Sequence, residues 1–285
     1  MKEFIKKIPI IKDIAHWLKF LYQACVQTVF LVIYKIEMRL LACGLKKEEP
    51  CFQKLKEFKD KYKGERCFII CTGPSLRFED LETLHKNNEY TFSMNSIIKS
   101  LDKTNFRPTF YCIQDKEVYS QMEEYIYNSN IENIFLGISN IKLKRTLINY
   151  KKYIGDPRVT TYRLSTAYRW LAINYPEAKG KFAFSNDCEK EIYDGGIVAF
   201  SIVQIAKYMG FKEIYFLGAD CDYSGSVNHF DNIHQPKYDK NLGNYHLRVY
   251  EYLKTIIEDT DMKIYNATRG GKLETFTRVN FDDLF

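Results

Sequence analysis

Short apolar runs recur along this chain, and each ends abruptly in polar or small residues. Cys67 to Cys71 (C-F-I-I-C) shows no polar alternation. That pattern predicts a strand buried on both faces, as in a parallel sheet. Glu89 to Asn95, Pro108 to Ile113, Ile131 to Ile138, Lys212 to Gly218 and Met262 to Asn266 read as further strands. Between them, Leu76 to His85, Lys116 to Tyr127, Ile197 to Met209 and Tyr245 to Thr260 have helical spacing. Gly210 is placed to end the most apolar of these helices as a C-cap. About six or seven strands with helices between them predict an α/β, Rossmann-like fold. The sheet is expected to be mostly parallel, with helices on both faces.

Two stretches depart from this pattern. Residues 1–50 form an N-terminal helical segment, set off from a domain over 51–285 by Glu48-Glu49-Pro50. Phe20 to Tyr34 carries no charge but is shorter than the ~20 residues of a spanning helix. Lysines flank it, and no small-residue cleavage site follows, so it does not resemble a signal peptide. A helix on the inner face of a cell membrane is expected for residues 1–47, against a rival in which it packs on protein or a sister subunit. Cys51 to Lys63 is expected to be a charged helix leading into the first strand. The second departure is 141–181, basic, aromatic and irregular, with Lys142, Lys144, Arg145, Lys151, Lys152, Arg158, Arg163 and Arg169. It is expected to leave the sheet as a lid or acceptor-binding insertion.

Composition narrows the choice. The net charge of +6 over 285 residues suits an anionic ligand or membrane surface, but it is not the clustered basic stripe of a nucleic-acid binder. The eight cysteines include no C-x-x-C pair, so buried thiols in a reducing cytosol are expected rather than zinc.

Candidate chemistry gathers where the predicted strands end. Thr72-Gly73-Pro74-Ser75 follows the first strand, where Gly73 allows close approach, Pro74 fits a first helical turn and Ser75 can cap or donate. Asn95 and Gln114-Asp115 end the second and third strands. Gly195-Gly196 precedes the apolar helix as a second turn that exposes backbone amides. Asp220 and Asp222, spaced D-x-D, follow Lys212 to Gly218 and could hold Mg²⁺. His229 is the leading general-base candidate and His234, in the same loop, the second. His16, His85 and His246 are expected to be structural or exposed.

The segments G-P-S-L at Gly73 to Leu76, F-S-M-N ending at Asn95, P-T-F-Y-C-I-Q-D ending at Asp115, D-G-G at 194–196 and M-G-F-K-E-I-Y-F-L-G-A-D ending at Asp220 occur in this order. Together they resemble the bacterial superfamily that joins family 42 sialyltransferases and motility accessory factor glycosyltransferases. The archaeal 6-hydroxymethylpterin diphosphokinases look like more distant relatives. The resemblance spans residues 64–285. It implies an inverting, metal-independent glycosyltransferase that moves a nonulosonic acid from a CMP-activated donor to a polysaccharide or glycolipid. It places Thr72 to Ser75, Asn95, Gln114, Asp115, Gly195, Gly196 and Asp220 at the nucleotide, Tyr223 (ahead of Tyr215) at the leaving phosphate, and His229 or His234 as base. Thr72 stands where the sialyltransferases have asparagine, and the loop after Asp220 lacks a clear counterpart of their histidine motif. The alternatives are a diphosphokinase with Mg²⁺ on Asp220 and Asp222, and a nucleotide-binding scaffold without turnover.

Overall fold

A computed structural model describes residues 9–140, 148–166, 184–225, 227–231 and 241–285. Nine described strands form a single sheet in which every pairing is parallel. They are β1 (Arg66–Ile70), β2 (Tyr90–Met94), β3 (Phe110–Ile113), β4 (Ile134–Ser139), β5 (Val159–Ser165), β6 (Ile192–Tyr193), β7 (Glu213–Leu217), β8 (Lys263–Asn266) and β9 (Thr277–Arg278), in the order β6-β5-β4-β3-β2-β1-β7-β8-β9. The chain runs outward from β1 to β6, then restarts at β7 on the other side of β1. The order therefore reverses between β1 and β7, where open α/β sheets form a crevice at the carboxyl ends of their strands.

Side chains alternate between two cores. Cys67 and Ile69 of β1 join Phe110, Cys112, Ile214 and Phe216 on one face. Phe68 and Ile70 join Tyr111, Ile113, Tyr215 and Leu217 on the other. This period of two explains the unbroken apolar runs: both faces are covered, so neither needs polar residues. Among the described residues, five α-helices of two turns or more accompany the strands, α1 (Pro9–Ala42), α2 (Phe78–Lys86), α3 (Lys116–Asn128), α4 (Val198–Met209) and α5 (Leu242–Ile257). Buried residues of α4 and α5 lie in the first core, and those of α2 and α3 in the second.

The α/β, Rossmann-like expectation holds, with three corrections. Val159 to Ser165, inside the stretch expected to leave the sheet, is β5, paired with β4 over six positions. Its V-T-T-Y-R-L-S composition suits a strand, and the basic neighbours concealed it. Arg163 within it pairs with Glu48, Lys152 with Glu123 and Arg158 with Asp156, so these cations are already neutralised. Lys142, Lys144, Arg145 and Arg169 lie outside the described residues. Cys51 to Lys63 is no continuous helix: one turn at Pro50–Gln53 passes into 3₁₀ structure at Lys54–Phe58. Finally, α2 begins at Phe78, so Pro74 sits in a turn ahead of the helix rather than in it.

Gly210 adopts φ +94 at the end of α4, the left-handed cap its position predicted. The helix α1 is long. Tyr34 near its C-terminal end is buried and donates to the Lys190 carbonyl at 2.6 Å. No described helix is long and apolar enough to cross a membrane.

Candidate active site

The crevice at the reversal point holds a cleft of about 390 Å³. Its walls come from the loop after β1 (Cys71 to Pro74), the end of β2 (Met94, Asn95), the start of α3 (Asp115, Val118), the start of α4 (Gly196 to Ala199), the loop after β7 (Gly218 to Tyr223), Asn228, and α5 (Leu242, His246, Tyr250). The Gly73 turn and the glycine pair at 195–196, 122 residues apart in sequence (195 − 73), thus meet around one space through Gly73 and Gly196.

The glycine turn is held from below. The Gly73 amide donates to the Gly218 carbonyl at 2.9 Å, tying β1 to β7 beyond their last pair. The Asp220 carboxylate accepts from Ser75 Oγ at 2.8 Å and from its amide at 3.4 Å. A Cβ at position 73 would lie 2.0 Å from Asp220 Oδ2 and 2.6 Å from the Gly218 carbonyl. Gly73 therefore permits two loops to touch, which is a different use from cradling a phosphate. Burial raises the Asp220 carboxyl above the usual carboxylate range, and the Ser75 bonds work against that rise.

Asn95 follows β2 in the left-handed region, with φ 51. Its carboxamide oxygen is shielded from water without a hydrogen-bond partner. Cys221, also on the cleft, has φ 53. Such strained backbone persists where the surrounding structure enforces it, and it clusters at functional sites.

Helix α4 meets the cleft with its first turn, and its N-cap residue Ile197 gives no side-chain cap. The Gly196 amide is spoken for, donating to Asp194 Oδ1 at 2.7 Å. The amides of Val198 and Ala199 thus form the positive end that the cleft receives.

On α5, His246 faces Tyr223, with Nδ1 and the phenol oxygen 3.0 Å apart. Burial pushes the imidazole down to about 4, so it is neutral at pH 7. One tautomer makes Nδ1–H the donor to the Tyr223 oxygen, leaving the Nε2 lone pair as a proton acceptor. His246 was expected to be structural because it sits in a helix. Its second-turn position brings it to the cleft, and no local motif marks that.

Several expected site residues sit elsewhere or do other work. Asp115 caps α3, accepting from the Glu117 and Val118 amides at 2.8 and 3.0 Å. Gln114 is buried between Tyr162, which donates to its oxygen at 3.0 Å, and Asp194, which accepts from its nitrogen at 3.2 Å. Gly195 packs on Phe200, and its carbonyl accepts from Tyr245 Oη at 2.6 Å. His229 is 1% exposed, with Nε2 against Ser96 Oγ and Nδ1 2.9 Å from Asp231 Oδ1. His234 lies outside the described residues.

The carboxylates of D-x-D are held by different partners. Asp222 accepts from Ser224 Oγ at 2.6 Å, from its amide at 3.0 Å and from Lys272 Nζ at 2.9 Å, which holds it down at about 2. An ammonium beside one carboxylate and a hydroxyl on the other is a poor donor set for a divalent cation. Among the described residues no group of three His, Cys, Asp or Glu side chains could hold a metal ion.

A parallel sheet with this crevice defines a Rossmann-like α/β class of protein. The family model described as 6-hydroxymethylpterin diphosphokinase MptE-like matches residues 45–226, and the chain belongs to that family. Among solved structures, a MAf glycosyltransferase from Magnetospirillum magneticum is similar over 82% of this chain at 17% identity, with a TM-score of 0.50. This chain spans 38% of that protein's length. A mammalian sialyltransferase in complex with Gal-beta-1-3GalNAc-ortho-nitrophenol follows at 9% identity and a TM-score of 0.36, covering 81% of this chain and 84% of that one. A UDP-glucose 4-epimerase from Thermotoga maritima reaches 12% identity and 0.27, covering 70% and 54%. No curated protein matches the chain.

Proposed function

We propose that the cleft transfers a sugar from a nucleotide-activated donor to a glycan or glycolipid acceptor, with a CMP-activated nonulosonic acid as the donor. The observation that carries this reading is the meeting of Asn95, the uncapped start of α4 and the Tyr223–His246 pair around one space. Asn95 offers its carboxamide to the nucleoside. The amides of Val198 and Ala199 take the donor phosphate. Tyr223 Oη donates to the phosphate oxygen as the glycosidic bond breaks, and His246 Nε2 accepts the proton of the attacking hydroxyl. The His–Tyr pair supplies the base and the phosphate's hydrogen-bond donor from neighbouring side chains, and burial keeps the imidazole neutral for that work. Neither step needs a metal ion.

A second reading follows from the family's name: a diphosphotransfer from ATP, with Mg²⁺ on Asp220 and Asp222. The donor set around those carboxylates does not favour it. A thermal-shift panel of CMP, CDP, UDP, GDP and ATP with Mg²⁺ separates the two. Stabilisation by CMP supports sugar transfer, stabilisation by ATP with Mg²⁺ alone supports the rival, and nucleotide binding without turnover leaves a scaffold.

Helix α1 exposes Ile14, Leu18, Leu21, Tyr22, Val29, Val32, Ile33, Ile36 and Leu40 at three- and four-residue spacing, with Trp17 alongside. We propose that this face lies on an anionic membrane surface at the inner side of the cell membrane, which would bring a lipid-linked acceptor to the cleft.

A further inference from the structure

His229 was the leading candidate for the base, yet its ring does not face the cleft. Ser96 Oγ lies against Nε2, Asp231 Oδ1 lies 2.9 Å from Nδ1, and Ser100 Oγ lies 3.1 Å from Asp231 Oδ2. One assignment of protons satisfies all three contacts. Ser96 donates to Nε2, Nδ1–H donates to the carboxylate, and Ser100 donates to the carboxylate's second oxygen. Ser96, Ser100, His229 and Asp231 are all buried.

The arrangement resembles a nucleophilic triad, but none of its members is on the cleft wall. Its neighbours are. Asn95 precedes Ser96, and Asn228 precedes His229; both line the cleft. The next residue on, Phe230, donates its amide to the Thr72 carbonyl at 3.2 Å and packs its ring on Phe78 at 5.4 Å. Three walls of the cleft, the 72–74 turn, Asn95 and Asn228, are thus tied to one buried polar chain.

We propose that Ser96–His229–Asp231–Ser100 is a latch that holds Asn95 and Asn228 at the nucleotide, making His229 a positioning residue. The proposal rests on the cleft binding a nucleotide. The chain joins the 3₁₀ segment Asn95–Lys103 to the loop 227–231. It anchors the residue that follows Asn95, whose backbone turns through the left-handed region at φ 51. Networks of this kind rigidify when every member is satisfied and fail together when one is removed.

The test compares the wild type with Ser96→Ala, Asp231→Asn and His229→Gln. Calorimetric titration with CMP should show affinity falling about tenfold in Ser96→Ala and Asp231→Asn, equal to ~1.4 kcal/mol. Turnover at saturating donor should stay within about threefold, whereas loss of a base costs roughly 10²–10⁴-fold. Unchanged CMP affinity in both variants overturns the latch. So does a hundredfold fall in turnover at constant KM in His229→Gln, which would make His229 the base. Amide hydrogen exchange needs no ligand. In Ser96→Ala it should accelerate across both 95–103 and 227–231, and acceleration confined to 95–103 also overturns the latch. If the wild type binds no CMP, the sugar-transfer reading falls and the exchange result still decides the latch.

Discussion

His246 titrates far from an ordinary histidine, and the sign of that displacement makes it measurable. Its folded value of about 4 lies below the ordinary 6.5, so the unfolded chain binds the proton more readily. The stability it contributes is complete above pH 6.5 and is lost as pH falls towards 4. Urea midpoints at pH 7 and pH 5 should therefore differ less in His246→Asn than in the wild type. In the sugar-transfer reading, kcat/KM should hold level from pH 7 to 5 and decline only as pH nears 4; a limb near 6.5 would assign the base elsewhere. His246→Ala should reduce turnover about 10²–10⁴-fold, measured as CMP release from the donor. Gly73→Ala tests the contact between loops. A methyl group 2.0 Å from Asp220 Oδ2 must push the β1 and β7 loops apart, at a cost of about 1–3 kcal/mol and with weaker nucleotide binding. That Gly73, Asn95 and Asp220 border one cleft was legible in the sequence because small and polar residues stood directly after apolar runs. Their partners were not legible. Nothing local links Asp220 to Ser75 across 145 positions, or His229 to Ser96 across 133.

Secondary-structure elements were readable where packing and local preference agreed. The continuous apolar runs of β1, β3 and β7 are the mark of strands sandwiched between two cores, and Gly210 announced the end of α4. The strand β5 escaped because it lies among basic residues and has no continuous apolar run, although its β-branched residues suit a strand. Thr160 and Thr161 are 1% exposed all the same, so burial overrode the polar look of the segment. Short β6 and β9 carry too few residues for any periodicity. Asp115 shows how one residue can satisfy two readings. It borders the cleft, yet its carboxylate is occupied by the first amides of α3. Asp115→Ala should lower stability by about 1 kcal/mol through loss of the cap, readable in a chemical denaturation curve. Its effect on nucleotide affinity should be smaller than that of Asn95→Ala.

For the molecule as a whole, the reversal of strand order at β1 and β7 decides where the chemistry can be. The loops after β1, β2, β3 and β7 leave the carboxyl ends of strands at or beside that point, and the start of α4, which follows the edge strand β6, reaches the same cleft. The helix α1 adds a feature the domain does not need for its core, an apolar stripe facing outward. Anionic vesicles should pull the protein down at low salt, and vesicles of neutral lipid should do so less. Val29→Glu with Ile33→Glu should abolish that binding without changing CMP affinity; retention of binding would show that another surface makes the contact. The margins of the sheet have a further consequence. Strands β6 and β9, at its two ends, are two residues each. So little unpaired backbone gives a neighbouring chain almost nothing to zip onto. Should concentrated solutions of this protein cluster, the stickiness would come from the N-terminal helix, and mutations meant to improve handling should be made there and not on the flanks of the sheet.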